Sequence, residues 1–291
     1  MIIDTHVHAG RLKHWDLKIF GSILEPYGTP VSVLDMDPVV TVDKMKEAGI
    51  QKACLLALNA PAHNTHIPNE YVAGIVQDYP DLFIGFASVD PHKGKNAADE
   101  LEYAYKVLGM RGVKLGGIYQ MYHPADPIAF PVYAKAQELG MPIVFHQAWT
   151  KMREAPMKWM RPELLDDVAL AFPELRIILA HIGIPWQVEA LHLAAKQPNV
   201  FVDISARDAI GYGGGLIQLF RDLALARNLM IMDKVFFGSD LPWTNPATYL
   251  NQVKNINEYA EKVGELPFTS EEIDMILGDN ALKMLSKLGI L

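Results

Sequence analysis

The 291-residue sequence predicts an α/β fold, one (β/α)8 TIM barrel with extra C-terminal helices. Short apolar runs alternate with amphipathic segments along the whole chain, the pattern of βα units wound around a parallel sheet. The runs number eight, and the length exceeds by a modest margin the roughly 250 residues that one such barrel takes. No linker rich in Pro, Gly or Ser interrupts the pattern, so residues 1–291 read as a single domain.

The first strand is predicted over 2–5, where Ile2-Ile3 leads into Asp4-Thr5, and an irregular stretch over 9–37 follows it. A helix over 38–48 stops at Gly49, which suits the left-handed turn that closes a helix, and the second strand runs over 52–58. Helix 69–77 leads to strand 82–89, and helix 97–108, stopped by Gly109, leads to strand 112–115. A second irregular stretch, 116–127, precedes helix 129–139, its stop at Gly140 and strand 142–146. Helix 161–171, strand 175–181, helix 187–196, strand 200–204, helix 216–228 and strand 235–239 complete the barrel. Helical segments over 247–263 and 270–288 remain, the second starting at Ser270 with Glu271 and Glu272 in its first turn. The stretches 9–37 and 116–127 both fall on the C-terminal face, where such barrels keep their chemistry.

Composition narrows the partners. A net charge of −8 and the absence of any Lys/Arg-rich run give no attraction to phosphate backbones, so nucleic acid is not expected. No apolar stretch approaches the roughly 20 residues of a membrane span. Met1 leads into Ile2-Ile3-Asp4 without a basic or apolar leader region, and the expectation is a soluble, cytoplasmic protein with no membrane partner. Cys54 is the only cysteine, so no internal disulfide forms, and its apolar surroundings predict a buried strand thiol rather than a nucleophile.

The sharpest local feature is His6-Val7-His8. Residues two apart on a strand point the same way, so two imidazoles can converge on one ion; the plainer reading is a surface pair at a strand end. Three other apolar runs also finish on a ligand or base: Ile143-Val144-Phe145-His146, Ile178-Leu179-Ala180-His181 and Phe236-Phe237-Gly238-Ser239-Asp240. A His or Asp ending the first, fifth, sixth and eighth strands points to a shared metal site at the barrel rim.

Together with Ile3-Asp4-Thr5, Val113-Lys114-Leu115, His181-Ile182-Gly183, Leu241-Pro242-Trp243 and the late Ile276-Leu277-Gly278-Asp279-Asn280-Ala281, these motifs resemble the amidohydrolase-related family. That group holds aromatic-acid decarboxylases such as aminocarboxymuconate-semialdehyde decarboxylase, alongside lactonases and other metal-dependent hydrolases. The resemblance runs in order over essentially the whole chain. It implies that His6, His8, His146 and Asp240 ligate one divalent ion, and that His181 orients or deprotonates a water beside it. Asp240 then both ligates and relays a proton, which makes His181 and Asp240 the catalytic pair. Binuclear relatives bridge two ions with a carboxylated lysine on the fourth strand; Lys114 lies there, but one ion is expected and Lys114 is read as structural or substrate-facing. The resemblance also makes a homodimer plausible.

Three imidazoles and a carboxylate suit Zn²⁺ best, and the ligand types also admit Mn²⁺, Co²⁺ or Fe²⁺. An open coordination position would bring the pKa of a bound water to about 7. Trp15, Trp149, Trp186 and Trp243 each follow one of these strands, and with Tyr119 and Tyr122 they suggest a flat-walled pocket for a small planar substrate. Arg207, just after the seventh strand, is the best candidate to pair a substrate carboxylate, ahead of Arg11 and Lys13. Trp149, Trp243 and Lys114 join it as expected substrate contacts. His63 and His66 could reach the barrel mouth but receive no role. The leading expectation is hydrolysis of an amide, ester or lactone by metal-activated water. The alternative is non-oxidative decarboxylation of an aromatic or unsaturated acid.

Overall fold

A computed structural model describes residues 1–207 and 215–291. Its main sheet has eight parallel strands in the order β1 (Ile3–Val7), β2 (Lys52–Leu56), β5 (Phe83–Ala87), β6 (Gly112–Leu115), β7 (Ile143–Phe145), β8 (Ile177–Leu179), β9 (Val200–Asp203) and β10 (Val235–Phe236). These are the eight predicted strands, in the predicted sequence. The ring closes where Thr5 N–H donates to Phe237 O at 3.0 Å, Asp240 N–H to His6 O at 2.8 Å and His8 N–H to Leu241 O at 2.8 Å. Among the described residues, no helix is long and apolar enough to cross a membrane.

Alternation along the strands fills two layers. Cys54, Leu56, Ile84, Phe86, Val144, Ile178 and Phe236 face one another inside the barrel, and Ala281, Met284 and Leu285 of the helix Asn280–Lys287 join them. That helix therefore plugs the barrel with its apolar stripe. Their strand neighbours, such as Leu55, Val113, Phe145 and Val202, pack outward against the surrounding helices. Cys54 is buried, and burial pushes its thiol pKa up, as expected for an inert strand cysteine.

Strand β1 departs from strict alternation, and the departure serves the site. Ile3 packs with the interior layer while Val7, four residues on, packs with the outer one; a register slip lies between Asp4 and Val7. This bulge turns His6 and His8 inward at the C-terminal rim. The strand also continues two residues further than predicted, so His6 lies within it rather than beyond it.

Other boundaries shift for identifiable reasons. Strand 52–58 ends at Leu56, and the chain then forms an antiparallel hairpin of β3 (Leu58–Ala60) and β4 (Thr65–Ile67), which period-two patterning over three residues cannot announce. The stretch 9–37 is not wholly irregular: the helix Leu17–Leu24 starts at Asp16, whose carboxylate accepts from the Lys18 and Ile19 N–H groups at 3.0 Å. The last helical segment starts at Ser270 as predicted, with Thr269 as its cap in a capping box with Glu272. It is then interrupted by a π turn over Met275–Asp279, from which Ile276 O accepts from Phe237 N–H at 2.9 Å.

Gly112 shows how tightly the strands fit. A Cβ there would lie 2.2 Å from Cε1 of Phe86, which is fully buried. Gly112→Ala is therefore expected to lower the unfolding free energy by about 1–3 kcal/mol in urea titration, the usual cost of overpacking; an unchanged midpoint would show that the ring yields freely.

Candidate metal centre and active-site cleft

Four buried histidines, two carboxylates and a lysine meet at the barrel rim. Asp203, at the end of β9, accepts from His6 Nδ1 at 3.0 Å through one oxygen. Its other oxygen accepts from the backbone N–H groups of His181, at 2.9 Å, and Ser205, at 3.0 Å, and from the Ser205 hydroxyl. The carboxylate thereby holds His6 with Nδ1 protonated and Nε2 bearing its lone pair toward the cleft. His8 is held likewise, its Nδ1 bonded to Leu56 O at 3.2 Å.

The freed atoms converge. His6 Nε2 lies 3.5 Å and His8 Nε2 3.9 Å from Asp240 Oδ1, and the three donor atoms sit within 4.8 Å of one another. Ligands bound at about 2.0–2.1 Å in a tetrahedral arrangement stand roughly 3.4 Å apart, so this set fits a small divalent ion. Asp240 reaches its place through a left-handed backbone (φ 63°), and His181 and Ile182 share that conformation (φ 58° and 49°). Such residues cost about 1–3 kcal/mol each and persist where the surroundings dictate them; here Asp203 and the His6 carbonyl do so.

His146 stands one ring further out. Its Nδ1 bonds His181 Nε2 at 3.1 Å and its Nε2 bonds the Tyr119 hydroxyl at 3.0 Å, so the three-residue convergence of His6, His8 and Asp240 does not include it. His181 also bonds Ser205 Oγ through Nδ1 at 2.8 Å, and its ring centroid is 4.9 Å from that of His6. Lys114 Nζ lies 3.0 Å from His6 Nε2, beside the lone pair that an ion would use. Burial pushes the pKa values of His6, His146 and His181 well below the ordinary imidazole range and that of His8 down to about 3, with the Lys114 charge adding to the effect. Burial lowers Lys114 to about 8 against the pull of Asp240 and Asp203, and raises Asp240 well above the usual carboxylate range. The imidazoles are thus kept neutral, the form that binds metal.

Above the cluster an open cleft is walled by Trp15, Phe20, Trp243, Tyr119 and Met152. Trp15 and Phe20 come from the long segment after β1, and Trp243 meets them edge-on and tilted at 6.1 and 5.3 Å. Trp243 and Lys114 line this cleft. Trp149 does not line this cleft; it borders an adjoining groove with Met157 and Met160. Trp186 lies under Arg161, and Tyr122 is buried away from the cleft.

Arg207 is not brought to the cleft wall either. Its side chain is fully buried and pairs with Asp222 Oδ2 at 2.8 Å, on the helix Gly215–Asn228. A buried guanidinium needs a carboxylate, and the neighbouring helix supplies one, whose pKa burial raises to about 6 against the pull of Arg207. Its neighbour Asp208 lies outside the described residues. Arg11 pairs with Asp35 at 2.6 Å on the surface. Sequence reasoning missed Asp203, although the run Val200-Phe201-Val202 ends on it just as other strands end on their ligands.

The amidohydrolase family model matches residues 3–287. The chain belongs to the amidohydrolase family. This amidohydrolase is 26% identical over 243 residues to the 2-amino-3-carboxymuconate-6-semialdehyde decarboxylase of Dictyostelium discoideum, a match spanning 75% of the chain and 65% of that relative. A TIM-barrel protein of Bordetella bronchiseptica superposes with a TM-score of 0.77 at 22% identity, covering 99% of each chain. The 5-carboxyvanillate decarboxylase of Novosphingobium aromaticivorans, solved with manganese and 4-hydroxy-3-methoxy-5-nitrobenzoic acid, superposes with a TM-score of 0.71 at 16% identity, covering 98% of this chain and 96% of that one. These structures share the fold.

Two outcomes follow from the geometry. Asp203→Asn turns one of the two acceptor oxygens that hold His6 and the His181 turn into an amide donor, and Zn²⁺ or Mn²⁺ affinity measured by chelator competition is expected to fall about 10–100-fold; unaltered affinity would remove Asp203 from the centre. Arg207→Met leaves Asp222 buried without its cation and is expected to cost about 3–5 kcal/mol of stability in urea. A raised KM with full stability would instead return Arg207 to substrate binding.

Proposed function

We propose that this amidohydrolase is a metal-dependent, non-oxidative decarboxylase acting on a small planar aromatic or unsaturated acid. His6, His8 and Asp240 would hold one divalent ion, and His146, which lines the same cleft, would be the fourth ligand. Their donor chemistry suits Zn²⁺, and Mn²⁺ is the ion in the fold relative named above. When bound, the ion supplies Lewis-acid polarisation of substrate oxygens.

The observation that carries this reading is a cluster of neutral imidazoles and one carboxylate at the foot of a cleft whose walls are flat and apolar. Trp15, Phe20 and Trp243 shield a planar ring from water, which raises the energy of a buried carboxylate relative to departing, uncharged CO₂. In the overall step the C–C bond to the carboxylate breaks, its electron pair stays on the substrate carbon, CO₂ leaves and one proton takes its place. Asp240 relays that proton. The sequence relationship to a decarboxylase supports the same class.

Hydrolysis of an amide, ester or lactone is the second reading, favoured by how near His181 lies to the cluster, where with Asp240 it could manage the protons of an attacking water. Both His181 nitrogens are engaged by His146 and Ser205, which weighs against it as the primary base. Protein loaded with Zn²⁺ or Mn²⁺ and offered hydroxybenzoates, carboxyvanillates and unsaturated dicarboxylates is expected to release CO₂, measured by a coupled assay, and to lose the activity to a chelator. Turnover of an ester, lactone or amide panel without any CO₂ release would overturn decarboxylation in favour of the second reading.

A further inference from the structure

The hairpin of β3 and β4 carries one more histidine into the cleft wall. His63 ends the short turn Pro61–His63 between the two strands and is 1% exposed. Its ring meets that of Tyr119 edge-on, centroids 5.1 Å apart, and the Tyr119 hydroxyl bonds His146. Neither Nδ1 nor Nε2 of His63 has a hydrogen-bond partner among the described residues. Leucine or phenylalanine would fill that volume with no polar atom to satisfy, whereas a buried imidazole left unpaired destabilises the fold. The residue nevertheless lines the same cleft as His6, Asp240 and Trp243.

We infer that His63 is a substrate-binding residue, one that hydrogen-bonds a hydroxyl group of the substrate distinct from the oxygens held at the metal centre. The inference rests on the metal-centred reading above and specifies the substrate class further, as a hydroxylated planar acid. Charge decides for a hydroxyl over a second carboxylate. Burial keeps His63 neutral, and the acidic groups that act on it, Glu154 and Asp16, would repel an anion placed there. The two lysines of the cleft are otherwise engaged: Lys114 stands at His6, and Lys151 lies over the Tyr27 ring at 3.9 Å and bonds its hydroxyl. A neutral imidazole has one donor and one acceptor nitrogen, and a hydroxyl can meet either.

Binding of metal-chelating probes tests this without any turnover. Benzohydroxamate, its 3- and 4-hydroxy derivatives and its 4-carboxy derivative are titrated calorimetrically into the Mn²⁺-loaded protein. At least one hydroxy derivative is expected to bind about tenfold more tightly than the parent. In His63→Leu that ratio is expected to fall to about one, and in His63→Gln, which keeps a donor and an acceptor, to be retained in part. An undiminished ratio in His63→Leu, no gain from either hydroxyl, or preference for the carboxy derivative would overturn the inference. Failure of the parent compound to bind wild-type protein would instead overturn the metal-centre reading, and the inference with it. Comparing derivative with parent inside each protein separates recognition from a general loss of structure.

Discussion

The seam between the first and last barrel strands is where backbone geometry becomes chemistry. The buried carboxylate of Asp4 accepts from His6 N–H at 3.0 Å and Ser239 N–H at 2.9 Å, so a single side chain on β1 binds both edges of the closure. Beside it, Asp240 N–H donates to His6 O, and His8 N–H to Leu241 O. His6, His8 and Asp240 are thus neighbours because they flank one line of hydrogen bonds. The bulge that slips the register of β1 then aims both imidazoles inward. Without closure of the ring, Asp240 and the His6–His8 pair, more than two hundred positions apart in sequence, would have no common point.

A second constraint is electrical. Four imidazoles, an ammonium group and two carboxylates share a space from which water is largely excluded, and charged forms are disfavoured there unless paired. Asp203 eases this by anchoring His6 through one oxygen and the His181 turn and Ser205 through the other. Lys114 and Asp240 face each other across His6, each opposing the desolvation of its partner.

The cleft above the cluster is assembled from segments outside the barrel strands. The helix Leu17–Leu24 contributes Phe20, the β3–β4 hairpin contributes His63, and the segment after Asp240 contributes Trp243. The barrel therefore supplies a floor of candidate metal ligands while the loops set the shape and polarity of what reaches it. In this chain the loops offer flat apolar walls, interrupted by a few polar groups. That combination is the basis for proposing a planar acid as the substrate.

Alternation of apolar runs with amphipathic segments determined the eight parallel strands and their order, because a strand buried on both faces announces itself by composition alone. The strand-terminal His6, His8, His146, His181 and Asp240 were legible for the same reason: polar residues that end such runs fall at the C-terminal rim of the barrel. The sequence did not reveal which of them converge. Whether His146 faces His6 or hydrogen-bonds Tyr119, whether Arg207 faces the cleft or the helix bearing Asp222, and whether Trp149 lines the cleft or an adjoining groove depend on side-chain directions set by packing among distant segments. Asp203 went unnamed, and His63 was named only as able to reach the barrel mouth, for related reasons. Asp203 acts through His6, its partner across the barrel, and His63 sits on a hairpin whose three-residue strands are too short to show a period; tertiary contacts alone decided both.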